Sequence, residues 1–517
     1  MSYFFFLKIL LNGDILRRAK LFFINGIILT STSLLLRGIG LIFNIYVANQ
    51  VGSETLGIFS LIMSIYMFAI TVATSGIGTA CTCLVSEEFE KSNYVNGLKV
   101  VKTCIIFALI LGILASILII VFAPFVSYYW LNNSVSPRPI YAIALGLPLI
   151  SISSVIGGYF SSVGKSYKSA ISQILETTAK IIATIVLLHF NLEKGIEAIC
   201  VSLIVADVIS EVFSFSLNII FYLIDRRKYI NKRSLPIQMK RKIFKISFPI
   251  AITSCIKSGL SSLKQFLIPI RLSMSGLTYA MSVSQYGLIS GMVMPILMFA
   301  NVFIFSFSGL LVPEFSRLLA GKNYNRMNTV CNTIFKNTCL FSICIAGIIF
   351  FFANELSLAI YQNIEIGKWL KLLSPLVFFI YIDNIIDNIL KGINEQVSVM
   401  FCNIIDLVIT ILIIYFVVPK FGMSGYILSI FVSELVNFTI SNFQLKKRIN
   451  YSFSLFEYII IPVLGCIISY LISSLFDFNF LPFLYVFICK VFIFALTYFS
   501  FMLFVYKLKT LSNDKKL

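Results

Sequence analysis

Apolar runs recur from end to end of this chain, separated by short segments rich in Lys and Arg. Each run is roughly 20 residues, enough to cross a hydrocarbon core about 30 Å thick. Inside lipid a backbone must satisfy its own hydrogen bonds, which restricts spans to helices or closed barrels. Barrel strands alternate inward and outward with a period of two. Runs such as Ile105–Val121 and Leu407–Val418 are apolar on every side, so the pattern predicts helices. It places about 14 spans, at 22–49, 57–83, 104–127, 139–163, 169–190, 195–224, 246–270, 286–312, 331–353, 369–392, 399–418, 423–444, 457–475 and 480–506. The expected fold class is an all-α integral membrane protein.

The polar segments carry the next layer of information. Lys and Arg concentrate in alternate loops, nine of them in residues 225–245 alone, while the intervening loops hold Arg138, Lys194, Lys368 and Lys420. Basic loops stay on the cytoplasmic side, so both termini and 225–245 are expected there, in a multi-pass protein of the bacterial cytoplasmic membrane. Met1–Leu11 is apolar and is followed by Arg17, Arg18 and Lys20, the reverse of the order in a cleavable signal peptide.

The apolar pattern also repeats. Gly57-Ile-Phe-Ser opens the second span and Gly287-Leu-Ile-Ser the eighth, 230 positions on; Glu176 meets Asp406 and Gly195 meets Gly425 at the same offset. Met67-Phe68-Ala69 and Met298-Phe299-Ala300 recur with a slip of one residue. Spans one and seven start on the same side, so the duplication predicts two parallel six-helix lobes, an arrangement suited to a transporter. The expected organisation is an N-lobe (1–224), a basic cytoplasmic hinge (225–245), a C-lobe (246–444), and two further spans with a cytoplasmic tail (445–517).

Composition sharpens this reading. The chain is 59% hydrophobic and 12% charged, with mean hydropathy +0.95, whereas soluble domains carry about 25% charged residues. A net charge of +19 would imply nucleic acid in a soluble protein; here it implies topology and anionic membrane lipids. The 11 cysteines are odd in number and lie mostly in apolar runs, and the single His189 has no partner cluster, so no metal site or disulfide framework is expected. No nucleotide-binding or hydrolase signature is present, so neither a cofactor nor catalysis is expected.

Charges inside spans cost roughly 2.5–3.5 kcal/mol each on insertion scales, so each needs a reason. The seventh span carries Lys257, Lys264 and Arg271 at intervals of seven residues, close to two helical turns, which puts them on one stripe. Arg37 lies mid-span in the first helix beside Gly38 and Gly40, small residues that permit close helix approach. These four are the candidate substrate-binding residues, as the wall of a cationic cavity. The acids are Glu176, Asp207 and Glu211 in the first half, and Asp383, Asp387, Asp406 and Glu434 in the second. Glu176–Lys180 and Asp387–Lys391 are spaced for neutralisation along one helix. Asp207/Glu211 and Asp383/Asp387 are like-charged pairs one turn apart; they repel unless a cation or proton sits between them, which makes them candidate ion-coupling sites.

The segment LFFINGIILTSTSLLLRGIGLIFNIYVANQVGSETLGIFSLIMSIYMFAITVATSGIG, with Arg37, Gly40, Gly52 and Gly57, resembles the opening of the stage V sporulation protein B branch of polysaccharide-exporter flippases. GGYFSSVGKSYKSAISQILE and PEFSRLLAGKN resemble that family's turn between spans four and five and its loop between spans eight and nine. The resemblance implies the superfamily shared by multidrug exporters, oligosaccharide-lipid flippases and lipid II flippases. The lipid II flippases have a second basic residue shortly after the first-helix Arg, where this chain has Phe43 and Asn44. The resemblance and the basic stripe together imply a flippase for a polyprenyl pyrophosphate saccharide, driven by a coupling cation or the membrane potential. A cation-coupled multidrug exporter and a non-transporting scaffold of a cell-wall assembly complex are the alternatives.

Overall fold

The computed structural model describes residues 13–74, 76–91, 93–227, 239–451, 454–476 and 482–514, with side chains omitted in 13–30, 508–514 and at 239, 306, 307, 309 and 310. Met1–Leu11 and positions 228–238 of the basic loop lie outside the described residues. Within them every regular element is a helix. Twelve are long and apolar enough to cross a membrane, or thirteen if the bent pair Ile364–Leu373 and Leu376–Gly392 is one span. The expected fourteen is not confirmed. The first helix, α1 (Gly13–Thr74), covers two expected spans as two helical stretches that meet at Gly52, whose φ 75° and ψ 173° are not helical.

The remaining elements are α2 (Ile77–Glu90), α3 (Tyr94–Phe125), α4 (Arg138–Ser162), α5 (Ser166–Asn191), α6 (Ile196–Arg226) and α7 (Met239–Ser273). Then come α8 (Tyr279–Gly287), α9 (Met294–Phe299), α10 (Asn301–Ala320), α11 (Tyr324–Phe351), α12 (Ala353–Tyr361) and α13 (Ile364–Leu373). The last are α14 (Leu376–Gly392), α15 (Gln396–Phe416), α16 (Val418–Lys446), α17 (Ile461–Ser474) and α18 (Phe483–Asp514).

The 230-residue repeat is written into the backbone. Tyr94 and Tyr324 begin α3 and α11, each after a capping-position Asn, Asn93 and Asn323. Ser166 and Gln396 begin α5 and α15. Asn132 (φ 48°) matches Gln362 (φ 54°), and Gly164 (φ 70°) matches Asn394 (φ 65°). Left-handed residues are uncommon outside glycine, so their coincidence at one offset marks duplicated turns.

The chain forms two compact units. The first holds residues up to Phe43 with Ile58–Phe266; the second holds Asn44–Gly57 with Leu267–Leu517. Lipid gives helices little hydrophobic reason to associate, so small residues and hydrogen bonds hold each unit together. In the first unit, Ser116 Oγ on α3 donates to the Ala144 carbonyl on α4 at 2.7 Å. Thr82 Oγ1 on α2 donates to Gly158 O on α4 at 3.2 Å, where Gly158 approaches Gly78 too closely for a side chain. The second half of α1 meets α7 through Ser262 Oγ to Ser64 O (2.8 Å) and Thr71 Oγ1 to Ser258 Oγ (3.2 Å).

In the second unit, Asn44 Nδ2 donates to Gly291 O at 3.3 Å, Asn49 Nδ2 to Ile360 O at 2.8 Å, and Ser53 pairs with Ser284 at 2.7 Å. The two helices beyond the repeat pack on α11: Cys466 Sγ donates to Ile343 O, Tyr498 Oη donates to Leu340 O, and Tyr470 stacks on Phe351. Gly38 and Gly40 depart from expectation. A Cβ built at either meets nothing within 4 Å, so no described helix approaches there; the close approach on α1 falls at Gly57 instead.

Candidate functional site

The basic stripe on α7 has a definite direction. Ser258, Ser262 and Phe266 turn toward neighbours in the first unit, the last against Trp130. At 3.6 residues per turn, Lys257, Lys264 and Arg271 lie about 140–180° around the helix from the centre of that face. Lys257 is exposed and Lys264 is half-buried. Lys264 has no hydrogen bond, ion pair or ring contact among the described residues. Both lysines belong to the first unit, as does Arg37, which is exposed on α1. Arg271 belongs to the second unit. Its guanidinium lies 3.6 Å from the centre of the Tyr415 ring and donates to Met274 Sδ at 3.2 Å, so an aromatic stack holds it rather than a carboxylate.

The acidic residues fall into two groups, one in each unit. In the first, Lys180 Nζ on α5 pairs with Asp207 Oδ1 on α6 at 2.5 Å. Sequence spacing places Lys180 with Glu176; the ion pair instead crosses helices to Asp207. Lys180 thereby places one positive charge beside Asp207. In the second, Asn437 Nδ2 donates to Asp383 Oδ2 at 2.7 Å, and Lys391 lies 4.0 Å from Asp387 as the spacing predicts. Asp406 accepts from Ser433 Oγ at 2.7 Å. No group of three His, Cys, Asp or Glu suited to a metal ion occurs among the described residues.

Sequence reasoning missed one buried polar knot. Asp225, at the end of α6 and 1% exposed, accepts from Tyr159 Oη at 3.0 Å and from Lys165 Nζ at 2.5 Å, with Lys168 Nζ at 3.5 Å. Its counterpart in the second unit has the charges exchanged: Glu395, 230 positions after Lys165, pairs with Arg448 at 2.5 Å. The Ser398 hydroxyl and the Arg448 guanidinium hold the Glu395 carboxyl below its usual range. The only sequence signal was a basic residue and an acid at the same repeat position. Removing one partner of a buried pair leaves an uncompensated charge, at about 3–5 kcal/mol. Asp225→Ala is therefore expected to lower the unfolding midpoint of detergent-purified protein by many degrees, whereas Glu395→Ala, on a more exposed pair, shifts it slightly. Equal shifts in the two thermal melts would refute this ranking.

An all-helical, multi-pass chain of duplicated six-helix design, with charges carried inside its spans, defines a membrane transporter of the superfamily that contains the multidrug exporters, not an enzyme. The family model described as polysaccharide biosynthesis protein matches residues 23–319, and the chain belongs to that family. A second model, MatE, matches 249–416. The chain is similar to stage V sporulation protein B of Bacillus subtilis (strain 168), 23% identical over 449 residues, covering 85% of this chain and 86% of that protein. It also resembles sporulation protein YkvU of the same organism, 21% identical over 365 residues, covering 69% and 79%. Among solved structures, the lipid II flippase MurJ in an inward closed conformation shares the fold with a TM-score of 0.68 at 17% identity, over 93% of this chain and 99% of that one. An inward-facing multidrug resistance MATE family transporter gives 0.62 at 13%, over 82% and 98%.

Proposed function

We propose that this protein is a flippase that carries a lipid-linked cell-wall or polysaccharide precursor, a polyprenyl pyrophosphate saccharide, across the bacterial cytoplasmic membrane by alternating access. The observation that carries the reading is the stripe of Lys257, Lys264 and Arg271 on α7, together with Arg37. A half-buried amine with no described partner is costly in a span unless an anion meets it, and a pyrophosphate is such an anion. Membership of the polysaccharide biosynthesis family points to the same substrate class. The duplicated halves, 1–224 and 246–444, act as the two moving lobes with 225–245 as their cytoplasmic hinge. Asp207/Glu211 and Asp383/Asp387 are the places for a coupling cation. The membrane potential helps as well, since moving a negative charge outward gains about 2.3 kcal/mol per 100 mV. The test is reconstitution with a fluorescent polyprenyl pyrophosphate saccharide: transfer to the opposite leaflet is expected only in vesicles that contain the protein.

The MatE match favours a second reading, a cation-coupled exporter of organic cations. A basic stripe repels such substrates. Expression in a drug-sensitive strain separates the two, because resistance without lipid transfer would establish the exporter.

Topology gives a prediction of its own. Both termini and 225–245 are expected in the cytoplasm, from the asymmetry of basic residues. On a background without native thiols, a cysteine placed in 225–245 should resist impermeant maleimide in intact cells and react after lysis. Reaction in intact cells would invert the assignment.

A further inference from the structure

We propose that the buried polar face of α6 is a hydrated proton path, running from the cytoplasmic end of the first unit to the carboxyl cluster at Asp207. The proposal rests on the reading of Asp207/Glu211 as a coupling site, and it names the coupling cation as a proton. The face carries Asp207, Ser210, Ser214, Asn218, Tyr222 and Asp225, each 1–7% exposed. Spacings of three or four residues keep them all within about 60° of one line along the helix. From Asp207 to Asp225 that line is about 27 Å long at 1.5 Å per residue, close to the thickness of a hydrocarbon core. The whole line lies within the first unit.

Serines alone would be ordinary packing between membrane helices. The polar atoms left over argue for more than packing. Asn218 Nδ2 donates to Ser214 Oγ at 3.5 Å, and Asn218 Oδ1 has no hydrogen-bond partner among the described residues. Neither has Asp207 Oδ2, Ser172 Oγ on α5 or Tyr66 Oη on α1. The Tyr66 hydroxyl lies at the level of Asp207: a Cβ built at Gly146 of α4 would meet it at 3.4 Å and Val208 of α6 at 3.7 Å. Buried polar atoms of this kind are met by water, which takes about two to four partners each. Waters held by Asp207, Ser214, Asn218 and Tyr222 form a chain along which a proton hops. At the far end, on the side where the basic loops place the cytoplasm, Asp225 accepts from Tyr159 Oη and pairs with Lys165 and Lys168, an ionised mouth to the path.

Charge and geometry select the proton. Glu176, Asp207 and Glu211 interact with one another, with Tyr66 and with a single amine, Lys180, which pairs with Asp207 at 2.5 Å. On α4 the only charged residue is Arg138, at the opposite end from Asp225. Lys180 therefore balances one carboxylate and leaves Glu176 and Glu211. A metal ion needs a convergent shell of ligands, and no group of three His, Cys, Asp or Glu among the described residues is arranged to hold one. A proton needs no shell. Hydronium at the mouth gives it up and becomes water, the proton passes from water to water, and it ends in an O–H bond on the Glu211 carboxylate. Asp207 stays ionised against Lys180.

The experiment is time-resolved infrared spectroscopy of the full chain reconstituted in liposomes. Lowering the pH should bring up the C=O stretch of a protonated carboxyl, and Glu211→Gln should remove that band. The rate at which the band shifts after a switch to heavy water then reads access to the site. Asn218→Leu should shift about tenfold more slowly than the parent, the effect of about 1.4 kcal/mol on a barrier. Tyr222→Phe keeps the ring against Tyr159 and removes only the hydroxyl. It should slow the shift in the same direction, and it keeps the test decisive if Asn218→Leu folds poorly. Ser216→Ala is the control, because the Ser216 hydroxyl bonds the Val212 carbonyl on the exposed face of α6, and its rate should match the parent's. Three results would each overturn the proposal: a band that survives Glu211→Gln, a parental rate in every folded path variant, or loss of the band when sodium is added at constant pH. The readout needs no lipid substrate, so a failed flipping assay leaves it standing, and a failed exchange assay leaves flipping standing.

Discussion

Lys264→Gln should leave the protein folded and slow transport strongly. Reconstituted with a fluorescent polyprenyl pyrophosphate saccharide, the variant is expected to transfer lipid roughly 10- to 100-fold more slowly than the parent. A charge-assisted hydrogen bond to an anion contributes about 1.5–3 kcal/mol, and each 1.4 kcal/mol is a factor of about ten. The unfolding midpoint should move little. Lys264 is half-buried on α7 and has no carboxylate partner among the described residues, so removing its charge orphans nothing. Lys180 is the contrast. Its amine sits 2.5 Å from buried Asp207, and Lys180→Gln strands that carboxylate at about 3–5 kcal/mol. The two variants therefore separate a transport charge from a structural one. If Lys264→Gln transports normally, the stripe is not the headgroup site, and Arg37 becomes the basic residue to examine.

The membrane makes the coarse architecture legible and hides the rest. Spans are readable because lipid forces each apolar run into a helix. Their limits are less so, because the chain passes from one expected span to the next with the non-helical Gly52 between them, and the pair α13 and α14 bends by 52° within one expected span. The duplication is visible wherever the amino acid itself persisted, as at Gly57 and Gly287. It is invisible where only the conformation did: Gly164 and Asn394 share a left-handed backbone but not a side chain. Ion pairs between helices are the hardest to read. Lys180 has an acid one turn away on its own helix, yet bonds Asp207, 27 positions on. Asp225 reaches Lys165 across 60 positions, and its counterpart pair has exchanged charges, so no pattern of like residues marks it. The Tyr415 ring against Arg271 is unreadable in the same way, because sequence spacing gives no sign of it.

Gly287→Val should prevent folding altogether. Gly287 closes α8 and crosses α1 where Gly57 begins its second half, so two positions related by the repeat meet each other inside the second unit. A Cβ at 287 would lie 2.8 Å from Gly57 Cα and 2.5 Å from Gly57 N, and closer still to the Ser53 carbonyl oxygen. All three atoms are backbone, so no rotamer relieves the clash. Overpacking costs about 1–3 kcal/mol where side chains can give way, and more where they cannot. The crossing would have to open, which also breaks the Ser53–Ser284 hydrogen bond and draws Asn49 from the Ile360 carbonyl. Membrane helices have only such close packing and polar contacts to hold them together. The expected result is aggregated or degraded protein by size-exclusion chromatography in detergent, with Gly57→Val behaving alike because its Cβ would strike the Val283 carbonyl. Gly40→Ala is the control. It lies in the same helix with nothing within 4 Å of the added carbon, and in a helix Ala is favoured over Gly by about 0.5–1 kcal/mol, so its yield and midpoint should equal or exceed the parent's. Monodisperse Gly287→Val with a parental melting curve would show that the two helices do not cross this closely in the membrane.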